Sequence, residues 1–249
     1  MQRFHRFAPL LCAPLLYVVH VAPAAAQWTG SGELGLVIAS GNNETKTGNA
    51  KVLVTHKDDR WTHEGTFMAV YAADDVGSTA QRWQATEQSE YRFNPRNFWF
   101  GGGRYESDHF SGFTHQGTLS TGIGHVFTEN DTTELKGQIG VGYKFFETRE
   151  VLSPLGVLLE PRTTGDSLAG IANIDFKHAF NESTTLLNRF TAEYTSENTF
   201  LQNELSLQVK MTDALAIALG YTVRHNTDPP EEFARTDTLT TVNLVYEVK

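Results

Sequence analysis

The sequence predicts an all-β protein, a transmembrane antiparallel up-and-down β-barrel of about 12 strands. Three observations predict it. From Trp28 onward, apolar and polar residues alternate with period two in segments of about ten residues, and helical periodicity is almost absent. Short polar turns and longer loops join these segments by turns. No stretch of the mature chain holds ~18 consecutive apolar residues, so only strands could cross a membrane, their backbone groups paired within a closed sheet.

The first element is an export leader. Arg3 and Arg6 form a positive start, Leu10 to Val21 an apolar run of about a dozen residues, and Ala24-Ala25-Ala26 a small-residue cleavage site. Cleavage after Ala26 leaves Gln27 to Lys249 as one β-barrel domain. The single cysteine, Cys12, leaves with the leader, and Leu11 before it is too large for a lipoprotein box. The mature chain therefore has no disulfide and no thiolate metal site. Losing the two arginines takes the formal charge from −9 to −11, which argues against nucleic acid as a partner.

Twelve strands follow, roughly at 30–40, 45–56, 61–71, 82–93, 98–107, 114–127, 133–148, 166–180, 184–195, 200–211, 215–226 and 236–248. The segment from Leu215 shows the logic: Leu215, Ile217, Leu219, Tyr221 and Val223 share one face, and Ala216, Ala218, Gly220, Thr222 and Arg224 share the other. From Leu201 to Met211 the apolar face is broken only by Asn203. The short connections are Lys57 to Arg60, Asn94 to Asn97, Glu129 to Asp131, Asn181 to Ser183 and Thr212 to Ala214, rich in the Asn, Asp, Pro and Ser that turns use. The longer ones are Ala72 to Gln81, Arg149 to Gly165 and Thr227 to Arg235, and the second of these is long enough to fold inward. This alternation of lengths places both termini on the periplasmic side.

A soluble barrel would show the same alternation with its apolar face turned inward. Two features favour the membrane reading. Soluble barrels usually close near eight strands. The polar faces also carry balanced charge: Glu33, Glu64, Glu90, Glu106, Glu134, Asp175, Glu193, Glu204 and Glu247 against Lys51, Arg92, Arg104, Lys136, Lys144, Lys177, Arg189, Lys210 and Arg224. These residues are the candidate functional site, a lumen charge network whose ion pairs replace lost hydration. Glu87 falls on an apolar face, which costs energy unless it lies near an interface. Trp28, Trp61, Trp83, Tyr91, Phe93, Trp99, Tyr105, Phe127, Tyr143, Phe145, Phe176, Phe180, Tyr194, Tyr221 and Tyr246 sit near strand ends, where interfacial girdles need rings.

The opening hairpin runs through Gly32-Glu33-Leu34-Gly35-Leu36-Val37, Ser40-Gly41-Asn42-Asn43-Glu44-Thr45, Ala50-Lys51-Val52-Leu53-Val54 and Asp58-Asp59-Arg60-Trp61. With these motifs the chain resembles the salt-induced outer-membrane protein family, YdiY-like, whose biochemical role is unassigned. The resemblance implies an outer-membrane barrel and brings no catalytic residues. One departure is the C-terminus, since outer-membrane proteins usually end on an aromatic residue and this chain ends on Lys249.

The nearest approach to a catalytic motif is His109-Phe110-Ser111, two residues apart and so on one face of a strand, where His can act as base on the hydroxyl. The outer-membrane phospholipase family is also a twelve-stranded barrel with such a pair. A loop tip, where His, Ser and Gly are ordinary, is the plainer account. His56, His63, His125 and His178 are scattered with no zinc spacing. Asp74, Asp75, Asp228, Glu231, Glu232 and Asp237 offer carboxylates to cations that bridge lipopolysaccharide, although solvated loop charge explains them as well. Gly101-Gly102-Gly103 lies within a strand and is no phosphate cradle.

The reading is a non-enzymatic envelope barrel or narrow channel for small solutes or ions, without cofactor or metal. Its expected partners are outer-membrane lipid, lipopolysaccharide and, during insertion, the barrel-assembly machinery. The alternative is a lipid hydrolase built on His109 and Ser111.

Overall fold

The computed structural model describes residues 28–40, 45–73, 78–108, 113–152, 156, 158–229 and 234–248. Its strands are β1 (Trp28–Ser40), β2 (Thr45–Lys57), β3 (Trp61–Ala73), β4 (Ser78–Arg92), β5 (Asn97–Asp108), β6 (Phe113–Glu129), β7 (Thr133–Thr148), β8 (Val151–Leu152), β9 (Leu158–Glu160), β10 (Thr164–Ala179), β11 (Thr184–Tyr194), β12 (Thr199–Lys210), β13 (Leu215–Asn226) and β14 (Thr236–Val248). Twelve of them close into one antiparallel barrel in the order β1-β14-β13-β12-β11-β10-β7-β6-β5-β4-β3-β2. The leader, Gly41 to Glu44, Asp74, Asp75, the His109-Phe110-Ser111 motif, Glu231, Glu232 and Lys249 lie outside the described residues.

Closure is made by β1 and β14, in register from Gly30 opposite Val248 to Ser40 opposite Thr238. That ladder leaves the sheet without an edge. The twelve strands fall where the alternation places them, and 133–148, 215–226 and 236–248 agree to the residue. Two connections differ. β4 begins at Ser78, because Ala72 pairs with Ala80 and Ala73 with Ser78 around an irregularity, so the expected loop at 72–81 is mostly strand. Small Ala, Ser and Thr side chains give no clear alternation there. Inside 149–165, β8 and β9 pair as a separate hairpin.

The five short turns share one device. Asp58 Oδ1 accepts from the backbone N–H of Arg60 and Trp61, at 3.0 and 2.7 Å. Asn94 does the same for Arg96 and Asn97, Asn130 for Thr132 and Thr133, and Asn181 for Ser183 and Thr184. Thr212 Oγ1 holds Ala214 and Leu215 likewise. Each side chain stands in for a backbone carbonyl and reverses the chain in a few residues. All five turns, with Trp28 and Val248, lie at one end of the barrel, the short-turn rim.

The apolar faces point outward. Leu34, Leu168, Ile139 and Val141 are among the most exposed large hydrophobic side chains of the described residues, Leu168 at 80%. A wall of this kind is incompatible with water as its solvent and suits hydrocarbon. Inside, buried apolar residues form two small clusters, Phe98 with Phe100 and Val126, and Ala216 with Ala218 and Val245, and Val70, Ala169, Ile171 and Phe200 are buried besides. Phe98 lies opposite Gly124 and Phe100 opposite Gly122 across β5 and β6, each ring occupying space its glycine partner leaves empty.

That space is tightly shared. A Cβ on Gly124 would stand 2.1 Å from Phe98 Cζ, and the Phe98 ring is fully buried. We expect Gly124→Ala to destabilise the barrel by about 1–3 kcal/mol through overpacking, read as a lower urea midpoint in folded proteoliposomes.

Candidate functional site

Strand alternation turns every second residue into the lumen, and it turns the acidic and basic residues of the polar faces there together. Near the long-loop rim, Glu106 on β5 is 1% exposed. Arg224 on β13 donates to both its oxygens through Nη2, at 2.7 and 2.8 Å. In the closed order β5 and β13 stand six strands apart, on opposite walls, so this pair crosses the full width of the lumen. Arg104 reaches from β5 to Glu193 on β11, Nε to Oε1 at 3.0 Å and Nη2 to Oε2 at 2.8 Å. Lys144 stands 3.4 Å from Glu193, which also accepts from Thr118. Gln116 donates to Glu106, and Asp108 stands 3.7 Å from Arg224.

Phe200 on β12 lies at the middle of this layer, 2% exposed. Arg104, Lys144 and Arg224 lie 5.1, 5.7 and 5.2 Å from its ring centre. The ring face attracts all three cations while it fills space that water would otherwise take.

A second layer lies toward the short-turn rim. Arg189 on β11 meets Glu64 on β3 at 2.9 Å, again six strands away, and Asp175 on the adjacent β10 at 2.5 Å. Lys136 pairs with Glu90 at 2.8 Å, and Gln88 and Gln138 also donate to Glu90. Between the two layers lies a polar cavity of about 150 Å³, lined by Lys51, Gln84, Asn173, Gln202 and Glu204 among others. Above the long-loop layer an open vestibule of about 520 Å³ is bounded by Lys144, Pro161, Thr163, Asn198 and Asp228.

The remaining candidates take other places. Arg92 pairs with Glu129, and Lys210 with Glu247, at the short-turn mouth. Glu33 accepts from Asn243, and Glu204 from Gln202. Glu134 and Lys177 are register partners across β7 and β10, but among the described residues neither they nor Lys51 form an ion pair. Sequence reasoning missed Arg82, Asp108 and Phe200. Arg82 and Phe200 carry the parity of the polar faces beside them, which was the available signal. Asp108 ends a strand that runs one residue beyond the predicted 98–107.

Glu106 is held by arginines from both walls, and its charge has no water to fall back on. We expect Glu106→Gln alone to cost about 3–5 kcal/mol, because it leaves buried guanidinium charge uncompensated. The double variant Glu106→Gln/Arg224→Met should lose less than the sum of the two single changes in a urea double-mutant cycle.

Relatives fit this architecture. Among curated proteins, the uncharacterised protein YdiY of Escherichia coli strain K12 is 22% identical over 241 residues, covering 94% of this chain and 89% of that one. Among solved structures, the translocator domain of the autotransporter NalP from Neisseria meningitidis superposes with a TM-score of 0.56 at 10% identity, over 92% of this chain and 90% of that one. The NanC porin superposes with a TM-score of 0.55 at 9% identity, over 87% and 100%. Likeness at these identities shows the fold, an outer-membrane-type β-barrel. The resemblance carried by the Ser-Gly-Asn and Asp-Arg-Trp motifs of the opening hairpin is borne out: the family described as a protein of unknown function, DUF481, matches residues 32–248, and the chain belongs to that family.

Proposed function

We propose that this chain is a narrow outer-membrane channel, closed at rest to all but water and small ions by ion pairs that cross its lumen. The observation that carries the reading is the Arg224–Glu106 pair, which joins opposite walls with Glu106 almost wholly buried. Twelve strands enclose a space that side chains can fill, whereas wide aqueous pores appear at about sixteen strands. The Arg189–Glu64 pair makes a second crossing, and the 150 Å³ cavity between the two gives a small solute or ion somewhere to rest. In this reading the leader to Ala26 is removed on export, the short-turn rim faces the periplasm, and the outer wall contacts lipid and lipopolysaccharide after insertion by the barrel-assembly machinery. The protein performs no catalytic step and binds no nucleic acid. A conduit narrowed by ion pairs also suits a protein made under salt stress, as the family resemblance implies.

The test is planar-bilayer recording of the purified, detergent-folded protein. The wild type should give small conductance steps, and Arg224→Ala/Arg189→Ala should raise them several-fold by removing both crossings. Large steps in the wild type, left unchanged by the double variant, would refute the reading.

A further inference from the structure

The lumen takes up many of the charged side chains of the strands, but it uses none of the histidines at the short-turn rim. Two of them are brought together by the β2–β3 hairpin. His56 and His63 are seven residues apart on either side of the turn, in a spacing with no metal signature along the chain. The antiparallel register sets them directly opposite each other. Both have the outward parity of Val52, Val54 and Phe67, so they share the outer wall. Their rings are nearly parallel, at 9°, with centres 6.2 Å apart. Trp28 stacks on His56 at 4.5 Å and Trp61 on His63 at 5.5 Å, and these tryptophans mark the interfacial level, where water reaches.

The hydrogen bonds around His63 settle which nitrogen is available. Ser89 Oγ donates to Glu87 Oε1 at 2.6 Å. The hydroxyl has one proton, so the 2.7 Å contact between Ser89 Oγ and His63 Nδ1 must be an Nδ1–H donation. The other nitrogen, Nε2, then carries a free lone pair in the neutral ring. A histidine tethered at Nδ1 to a carboxylate relay is the usual support of a metal ligand. This also accounts for Glu87, an exposed carboxylate on the apolar face. Among the described residues, His56 Nδ1 is buried without a hydrogen-bond partner. Asp58 adds a carboxylate in the turn between the two histidines.

We propose that His56 and His63 form a two-imidazole site for a borderline first-row divalent cation, copper(II) or zinc, on the outer wall at the short-turn rim. Imidazole nitrogens suit these ions, and copper(II) should bind more tightly than zinc. Among the described residues no set of three ligands gathers around a cation, so water fills the other positions. The site is independent of the channel reading, because both ligands face away from the lumen.

The experiment uses the untagged full mature chain, folded in detergent and stripped with a chelator. Copper(II) chloride is titrated in while tryptophan fluorescence is read, since Trp28 and Trp61 lie against the two ligands. We expect saturable quenching at one equivalent, reversed by chelator, with nitrogen hyperfine structure in the copper electron paramagnetic resonance spectrum. His56→Phe and His63→Phe should each abolish it while keeping the aromatic stack. Ser89→Ala should weaken binding roughly tenfold by freeing the His63 ring. His178→Phe, altered at a girdle histidine that faces Thr133 and Leu186 instead of a second histidine, should bind as the wild type does. Heat-dependent gel mobility checks that each variant is folded. Quenching that never saturates, that survives His63→Phe in a folded protein, or that His178→Phe removes equally would overturn the proposal.

Discussion

A sheet whose outer surface is apolar can pair its backbone groups only within itself, and the β1–β14 ladder is what makes this possible. Without that closure, β1 and β14 would each offer a row of unpaired N–H and C=O groups to hydrocarbon. The rest of the architecture follows from it. The strand number must be even for both described ends to meet at one rim, the short turns must reverse the chain in a few residues, and the five Asx and Thr caps supply the hydrogen bonds that let them do so.

Closure also creates an interior, and the interior has its own cost. Alternation sends charged residues into a narrow space where they lose water, and an isolated buried charge is expensive. The structure meets this by pairing across the lumen as well as between neighbours. Glu106 takes Arg224 from the opposite wall and Arg104 from its own strand. Arg189 takes Glu64 from across and Asp175 from beside it. Phe200 adds an apolar surface on which three cations can rest. The same contacts that satisfy the charges also narrow the passage, so stability of the lumen and restriction of transport come from one set of side chains.

The outer wall shows a milder form of the same balance. Several polar groups that face outward are matched locally. His125 Nδ1 meets Asn97 Oδ1, His178 Nδ1 meets Thr133 Oγ1, and Asn188 and Asn203 bond to each other. Asn203 interrupted an otherwise apolar face in the sequence, and its partner lies on the neighbouring strand, fifteen residues earlier. Most girdle histidines thus spend one ring nitrogen on the fold and lean on an aromatic ring with the other face.

Much of this was legible without coordinates. Period-two alternation over more than 200 residues determined an antiparallel sheet, the turn residues determined its hairpins, and the parity of each charge determined which face it shared. The alternation also placed Glu106, Arg224, Arg189 and Glu64 on one side of the wall. It could not pair them, because parity is a property of a strand taken alone, while a bond from β5 to β13 depends on how far around the barrel those strands stand. Closure at twelve strands sets that distance, and the side-chain lengths of Arg and Glu then span it. The sequence by itself therefore determined the wall and its two faces; only the tertiary structure decided which charges meet across the lumen and that His56 stands opposite His63, since both depend on register and circumference.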